Sequence, residues 1–260
     1  MFRHLHIVAC SPRTGTTLLH EVMVTCFKVG KHYDHEIRFH LVTGEDGQLV
    51  ITKRPKDTMY MPAVLDDDPE LFVIYLLRDP RDTICSRHGK DKSIYYSNIR
   101  LWRQMHGYAR QMQGHERFLE VRYEDFVSNP DATQQMIMNH FPWLEKTHAF
   151  SEYHEYAQVS EKSKTAMHSV RPIAPTSVGR WRQNLGRIKA QQMIHGSLTP
   201  ELIECGYEDS DAWEKVLDDV EPDTTRSLYP EKLYLWRRIS QTLDARRKVA
   251  RYRRMRRTSS

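Results

Sequence analysis

The apolar residues of this chain fall into short runs separated by polar, turn-forming stretches. Four runs rich in apolar residues are typical of strands in the interior of a parallel sheet, and they cover 5–9, 48–52, 71–77 and 117–122. The segments between them place apolar residues at helical spacing, which predicts helices over 16–27, 80–86, 92–113 and 130–139. Strands that alternate with helices predict a three-layer α/β fold, a central parallel sheet flanked by helices.

The second half of the chain gives a weaker pattern. Residues 143–178 are polar and show no clear period, which indicates loops and short helices. Helical spacing returns near residue 188 and pauses at 221–223, where Pro222 interrupts it. A final helix is predicted from 231 to beyond 251.

Composition narrows the classes of protein to consider. With 260 residues, 39% hydrophobic and 28% charged, the chain is an ordinary globular protein, long enough for one sizeable domain with or without an appendage. Four dispersed cysteines without a C-x-x-C pair indicate neither a zinc site nor a disulfide framework. Fourteen histidines lack metal-ligand spacing, so surface histidines and no metal are expected. The absence of a long apolar segment predicts a cytoplasmic, unanchored protein.

The positive charge of the chain is concentrated at its carboxyl end. The formal net charge is +5, and eight Lys or Arg residues lie in 246–257, which has no acidic residue. Without these eight, the rest of the chain would carry a formal charge of −3. The basic tail is therefore the candidate contact for an anionic surface.

A loop with the chemistry of a phosphate site follows the first predicted strand. It has the sequence CSPRTGTT at 10–17 and precedes a helix. Gly15 allows open or left-handed backbone angles, so that successive amides at the start of the helix can point at one anion. The loop lacks the lysine that precedes Ser or Thr in a Walker A motif, and Arg13 is the nearby cation instead.

Two further motifs follow strands of the same predicted sheet. The sequence LRDPRDTICS at 77–86 ends one strand and opens a helix, and VRYEDF at 121–126 follows the next. Ligands bind at such strand ends in open α/β sheets. A forked Arg78 guanidinium and the Ser86 hydroxyl suit phosphate oxygens, and the ring of Tyr123 can stack on a base.

Together these motifs resemble those of sulfotransferases that use 3′-phosphoadenosine 5′-phosphosulfate (PAPS) and release PAP. The resemblance covers about residues 5–209 and divides the chain into a sulfotransferase domain, 1–209, and a helical extension with the basic tail, 210–260. It is closer to tyrosylprotein and carbohydrate sulfotransferases than to the cytosolic phenol branch. It implies no metal, and it implies donor binding by Ser11, Pro12, Arg13, Thr14, Gly15, Thr16, Thr17, Arg78, Ser86, Tyr123, Gly179, Arg180 and Trp181.

The resemblance also implies catalytic roles. Sulfuryl transfer needs positioning and charge neutralisation more than covalent participation by the protein, and Arg13 and Lys53 are placed to neutralise the leaving oxygen. The TKRP segment at 52–55 contains no histidine, the base of the phenol branch. In tyrosylprotein-like and several carbohydrate members the base is a Glu after the first helix, so the resemblance implies a base in 32–36, HYDHE, with Glu36 first and His35 and Asp34 as alternatives.

The acceptor is less well defined by the sequence. The TKRP segment favours a carbohydrate-type acceptor with a hydroxyl or amine, while a small molecule or peptide stays open. An aromatic stretch with Tyr95, Tyr96, Trp102, His106 and Tyr108 could line an acceptor groove or could be core at helical spacing.

Two other functions are compatible with parts of the pattern. A small-molecule kinase also needs a phosphate loop on a parallel sheet, but it should have the Walker lysine and a Mg²⁺-binding Asp at a strand end, where this chain has Arg78. A non-enzymatic module could instead bind an anionic partner through the basic tail, although a solvated, frayed helix is the commoner state of such a tail.

Overall fold

The computed structural model describes residues 1–89, 91–167 and 169–258, without the side chains of Arg238, Arg257 and Thr258. Its centre is a five-stranded, wholly parallel sheet in the order β2-β3-β1-β4-β5. The strands are β1 (Arg3–Ala9), β2 (Lys31–His32), β3 (Leu49–Lys53), β4 (Leu71–Leu77) and β5 (Phe118–Arg122). The predicted three-layer α/β fold is confirmed, and β2 is the one strand of the sheet that the apolar pattern did not predict.

Helices cover both faces of the sheet and continue to the carboxyl end. They are α1 (Thr16–Cys26), α2 (Pro80–Ile84), α3 (Ile99–Arg110), α4 (Tyr123–Ser128), α5 (Pro130–His140), α6 (Tyr153–Tyr156), α7 (Glu161–Met167), α8 (Leu185–His195), α9 (Thr199–Glu204) and α10 (Leu235–Thr258). Among the described helices, none is both long and apolar enough to cross a membrane.

Side chains alternate along the central strands and so contribute to two hydrophobic cores, one on each face of the sheet. In β1, Leu5, Ile7 and Ala9 pack against α1, α4 and α5, whereas Val8 faces the layer that contains α3 and α10. The neighbouring strand β4 divides in the same way, with Ile74 on the α1 side. Both faces of the sheet are therefore covered, as expected for central parallel strands.

The expectation of surface histidines is wrong for the first strand. His4 and His6 are fully buried on the polar face of β1, and both rings are hydrogen-bonded to the Thr52 hydroxyl, at 2.7 and 2.6 Å. Burial lowers the pKa of His4 well below its ordinary value, and the charge of His6 acts in the same direction. A shared hydroxyl makes these polar rings compatible with the interior.

The predicted helix over 92–113 is shorter, starting only at Ile99. Asn98 caps it by accepting a hydrogen bond from the Leu101 amide at 2.9 Å. Just before the cap, Tyr95 adopts extended backbone and pairs with Ser227 from the carboxyl-terminal part of the chain. That partner is more than a hundred residues away in sequence, so local periodicity carried no signal of it.

The basic tail is not a frayed helix along its whole length. Tyr252 of α10 is buried, and its hydroxyl donates a hydrogen bond to the buried Asp68 carboxylate. Arg256, also buried, donates to the same carboxylate at 3.0 Å and to the Phe2 carbonyl at 3.1 Å. These contacts attach the tail to the layer behind the sheet, and several other basic residues of α10 stay exposed.

We predict that Asp68→Ala lowers the free energy of unfolding by about 3 kcal/mol, because it removes the carboxylate shared by two buried groups. Asp67→Ala is the matched control: it breaks an exposed ion pair with Arg253, and the expected loss is below about 1 kcal/mol. Urea denaturation measures both variants. Equal losses for the two would contradict a buried anchor for α10.

Candidate active site

A cleft of about 740 Å³ lies where β1, β4 and β5 end. β1 and β4 are neighbours in the sheet, and β4 pairs with β5, so the segments that follow these three strands meet at one edge. Among them, Pro12, Arg13, Gly15, Thr16, Thr17, Arg78, Ser86 and Tyr123 line the cleft. The edge is the one at which open α/β sheets bind ligands.

The loop between β1 and α1 is tightly constrained by its glycine. Gly15 has φ 104°, and a Cβ added there would lie 2.6 Å from the ring of Tyr123. No side chain caps the start of α1. The first amides of the helix are therefore left for a bound anion.

Two polar residues of this loop stabilise it from behind and do not line the cleft. Ser11 is buried and donates a hydrogen bond to the Ser97 hydroxyl at 2.7 Å. The buried Thr14 hydroxyl donates to the Ser11 carbonyl at 2.6 Å. For these two, the structure supports a role in shaping the loop, and direct donor contact stays a prediction.

Arg13 projects from this loop into the cleft with a strained backbone, φ 73°. Its Nε atom is buried and has no hydrogen-bond partner among the described residues. Burial lowers the pKa of its guanidinium, and the nearby Tyr96 opposes that shift while Arg78 adds to it. A buried cationic donor that lacks a protein acceptor favours an anionic ligand at this point.

Arg78 is fixed at the end of β4 by several groups at once. It donates to the Arg13 carbonyl at 3.1 Å and to the Ser177 carbonyl at 2.5 Å, and it lies over the ring of Tyr123 at 4.2 Å. Its Nε has no hydrogen-bond partner in the described part of the chain. Ser86 opens into the same cleft while donating to the Asp82 carbonyl at 3.2 Å.

Asp82 is a functional position that the sequence reasoning missed. It is buried, and its two carboxylate oxygens accept hydrogen bonds from the amides of Gly179 and Trp181, both at 2.9 Å. It thereby anchors residues 177–181, called the late segment below, at the cleft. The only available signal was its place in the motif at 77–86, where Arg78 and Ser86 drew the assignment.

The predicted late segment divides into a cleft residue and a core residue. Arg180 lines the cleft, and its Nε donates to the Thr176 carbonyl at 2.9 Å. Trp181 is buried and packs edge-on against Trp213 at 6.0 Å, while Gly179 supplies the left-handed turn with φ 72°. The structure therefore places only Arg180 of these three on the cleft surface.

Lys53, at the end of β3, is paired with a carboxylate of α1. The end of β3 buries it, and its Nζ is 3.4 Å from Oε1 of Glu21 on α1. That carboxylate also accepts a hydrogen bond from Ser163 of α7 at 2.8 Å. Burial lowers the pKa of Lys53, partly offset by Glu21. Lys53 does not itself line the cleft in this structure.

The carboxyl of Glu21 has a low pKa. Burial acts to raise it, but the hydrogen bond and charge of His20, the hydrogen bond from Ser163 and the charge of Lys53 outweigh burial and lower it to about 2. The carboxylate thus keeps its charge beside Lys53 at any ordinary pH.

Of the three candidate bases, only Glu36 lines the cleft. Its side chain is exposed at the rim like the other two, and partial desolvation there raises the pKa of its carboxyl against the opposing charges of Arg54 and Lys53. The exposed ring of His35 is instead 2.7 Å from Nζ of Lys162. The exposed Asp34 is 3.8 Å from His32. The geometry favours Glu36.

The aromatic stretch splits between core and cleft. Tyr95, Trp102 and His106 are buried, whereas Tyr96 lines the cleft together with Glu36 and Arg13. Lys92 and Arg171 also line it. Sequence periodicity could not separate Tyr96 from Tyr95, because the segment is not helical there.

Comparison with known proteins gives one family. The model of the sulfotransferase family matches residues 25–143, a stretch that contains Glu36, Lys53, Arg78, Ser86 and Tyr123 and starts after the phosphate loop. This match agrees with the resemblance seen in the sequence and favours it over a kinase. Comparison with curated proteins gave no significant match.

Comparison with solved structures also gives sulfotransferases, and the first one described here has the same fold. The sulfotransferase domain of an olefin synthase from Synechococcus PCC 7002 superposes with a TM-score of 0.50 at 16% identity, over 70% of this chain and 87% of that one. The sulfotransferase domain of the curacin biosynthetic pathway gives 0.44 at 16% identity, over 94% and 98%. A sulfotransferase from Alicyclobacillus acidocaldarius gives 0.40 at 14% identity, over 82% and 98%.

We predict that Gly15→Ala weakens PAP binding at least tenfold, because the new Cβ would displace Tyr123 and move the loop. Gly114→Ala is the control, since Gly114 has φ 81° but nothing within 4 Å of an added Cβ. Each variant bears the left-handed backbone cost of about 1–2 kcal/mol, and only Gly15→Ala adds the steric contact. Calorimetric titration with PAP measures the difference, and unchanged binding in Gly15→Ala would contradict the prediction.

Proposed function

We propose that this chain, a member of the sulfotransferase family, transfers the sulfuryl group of PAPS to a hydroxyl or amine of a carbohydrate-type acceptor and releases PAP. The observation that carries the proposal is the convergence of Arg13, Arg78, Ser86 and Tyr123 on one cleft. These residues come from three separate segments of the chain. Their cationic, hydroxyl and aromatic groups match the parts of a 3′-phosphorylated adenosine nucleotide.

In this proposal the donor lies along the strand ends. Arg78 and Ser86 hold the 3′-phosphate, and Tyr123 borders the adenine. The amides of 15–17 and the Arg13 side chain face the 5′-phosphosulfate. Arg180, whose segment is anchored by Asp82, closes the nucleotide side of the cleft. Ser11, Thr14, Gly179 and Trp181 support this surface from behind.

The reaction is an in-line displacement at sulfur. The acceptor oxygen or nitrogen forms a bond to sulfur as the bond from sulfur to the 5′-phosphate oxygen breaks, and the bonding electron pair leaves with PAP. Negative charge grows on that leaving oxygen, and the guanidinium of Arg13 stabilises it. Lys53 adds positive charge, while Glu21 fixes its position at 3.4 Å.

Glu36 takes the proton of the acceptor. It is the candidate base that lines the cleft, and its raised pKa brings the carboxylate closer in basicity to a neutral working pH. The TKRP segment at the end of β3 offers no histidine for this role. That absence, with Lys53 in the same segment, is the support for a carbohydrate-type acceptor.

We expect Glu36→Gln to lower kcat by about 10²–10⁴, the range for loss of a general base, while PAP affinity is retained. The assay is transfer from radiolabelled PAPS to a panel of glycan, peptide and small-molecule acceptors. His35→Gln and Asp34→Asn are matched controls, because these neighbours in sequence do not line the cleft. Unchanged turnover in Glu36→Gln would remove Glu36 as the base, and absence of transfer to every acceptor would count against the activity itself.

The same assay gives a pH test. Because partial desolvation at the cleft raises the pKa of Glu36, the acidic limb of kcat against pH should lie above the ordinary glutamate value of about 4.3. Activity should be full above this limb and fall as the pH decreases through it. An acidic limb that stays in place in the Glu36→Gln variant would assign it to another group.

A further inference from the structure

The carboxyl-terminal extension reaches the rim of the cleft on the side of Glu36. Tyr95 and the segment 226–228 exchange backbone hydrogen bonds, from the Tyr95 amide to the Arg226 carbonyl at 3.1 Å and from the Leu228 amide to the Tyr95 carbonyl at 2.8 Å. The side-chain amide of Asn98, Nδ2, then donates a hydrogen bond to the Tyr229 carbonyl at 2.8 Å. The extension is therefore held in register with the residues on either side of Tyr96.

This register brings two tyrosine rings together. The ring centroids of Tyr96 and Tyr229 are 6.1 Å apart, and the two rings are tilted by 47°. Tyr96 lines the cleft beside Glu36, while Tyr229 is half-buried next to it. Aromatic surface of this kind packs against the flat face of a ring-shaped ligand.

A lysine without an acidic partner lies beside these rings. Nζ of Lys56 is 4.7 Å from the ring centre of Tyr229. Within the described residues, no carboxylate lies within 4.0 Å of this ammonium. Arg54, its near neighbour, is paired with Asp57 at 3.1 Å. Burial lowers the pKa of Lys56, and the charges of Arg54 and Lys248 add to that shift.

The ammonium of Lys56 is partly buried and lies on the face of Tyr229. The charges of Glu36 and Asp57 favour its charged form against those of Arg54 and Lys248, and the cation–π contact with Tyr229 also stabilises it. An anionic group on the acceptor would add the direct ion pair that Lys56 does not make within the described residues. It would do so close to the carboxylate that takes the acceptor's proton.

We propose that Tyr96, Tyr229 and Lys56 form an acceptor subsite that selects a ring-shaped acceptor carrying an anionic group near the accepting hydroxyl. The two tyrosines pack against the ring, and Lys56 pairs with the anion. The extension 210–260 thus contributes directly to specificity through Tyr229. This inference rests on the function proposed above, since Tyr96 lines the same cleft, and Tyr229 and Lys56, which are not among its lining residues, extend the surface outward from Tyr96.

The test uses the full chain saturated with PAP and two ligands that differ in one group. Calorimetry compares 4-nitrophenyl β-D-glucuronide, which carries a carboxylate, with 4-nitrophenyl β-D-glucoside, which carries a hydroxymethyl in its place. We expect the glucuronide to bind about tenfold more tightly or better, as for a hydrogen bond to a charged group. Lys56→Gln should remove that difference and leave glucoside binding unchanged.

Matched variants distinguish the loss of a contact to the ligand from a general effect of the substitution on the fold. Lys28→Gln is the control for the lysine, because Lys28 is exposed, pairs with Glu145 at 2.9 Å and follows the end of α1 that points away from the cleft. It should keep the preference for the glucuronide. Tyr229→Leu should weaken both ligands without changing their ratio, whereas Tyr229→Phe keeps the ring and should bind both to nearly the same extent as the unmodified chain.

Three results would overturn this subsite: equal binding of the two ligands, a ratio unchanged by Lys56→Gln, or no binding of either ligand to the PAP complex. PAP titration of the same samples separates the two proposals. If PAP binds and the ligand comparison fails, only the acceptor subsite is wrong. If PAP itself does not bind, the proposed donor fails, and the subsite fails with it.

Discussion

The site depends above all on the position of one guanidinium, that of Arg78. It joins the carbonyl of Arg13 in the phosphate loop, the carbonyl of Ser177 in the late segment and the ring of Tyr123 after β5. Three segments that are far apart in sequence thereby share one buried cation. Because a buried charge is stable only when it is paired and hydrogen-bonded, displacing any of these groups would disturb the others.

The parallel sheet makes this convergence possible. β1, β4 and β5 end at one edge, and each delivers its motif there: the loop with Gly15, the segment with Arg78, and Tyr123. Asp82 extends the arrangement by holding the amides of Gly179 and Trp181. Glu36 and Tyr96, on the proposed catalytic side, line the same cleft as Arg13.

More of the proposed donor side of the cleft than of the proposed acceptor side could be predicted from the sequence. The boundaries of β4 and the placement of Arg78, Ser86 and Tyr123 in one cleft followed from local apolar runs and from motif spacing. Tyr96, Tyr229 and Lys56 did not, because their proximity depends on the pairing of Tyr95 with Ser227, which has no local signature. Trp181 was grouped with Arg180 by sequence, but its side chain packs on Trp213. The contact between the buried Tyr252 and Asp68 could not be predicted either, because Tyr252 lies among the Lys and Arg residues of the basic tail.

The central claim is that the cleft recognises a 3′-phosphorylated adenosine nucleotide. The most direct test is a calorimetric titration of the unmodified chain, without added metal, with PAP and with AMP, which lacks only the 3′-phosphate. The account predicts that PAP binds about a hundredfold more tightly, since Arg78 and Ser86 would each donate to the phosphate, and such charged hydrogen bonds contribute about 1.5–3 kcal/mol each. Equal affinity for PAP and AMP would contradict it, as would tighter binding of ATP than of PAP in a second titration with Mg²⁺ added.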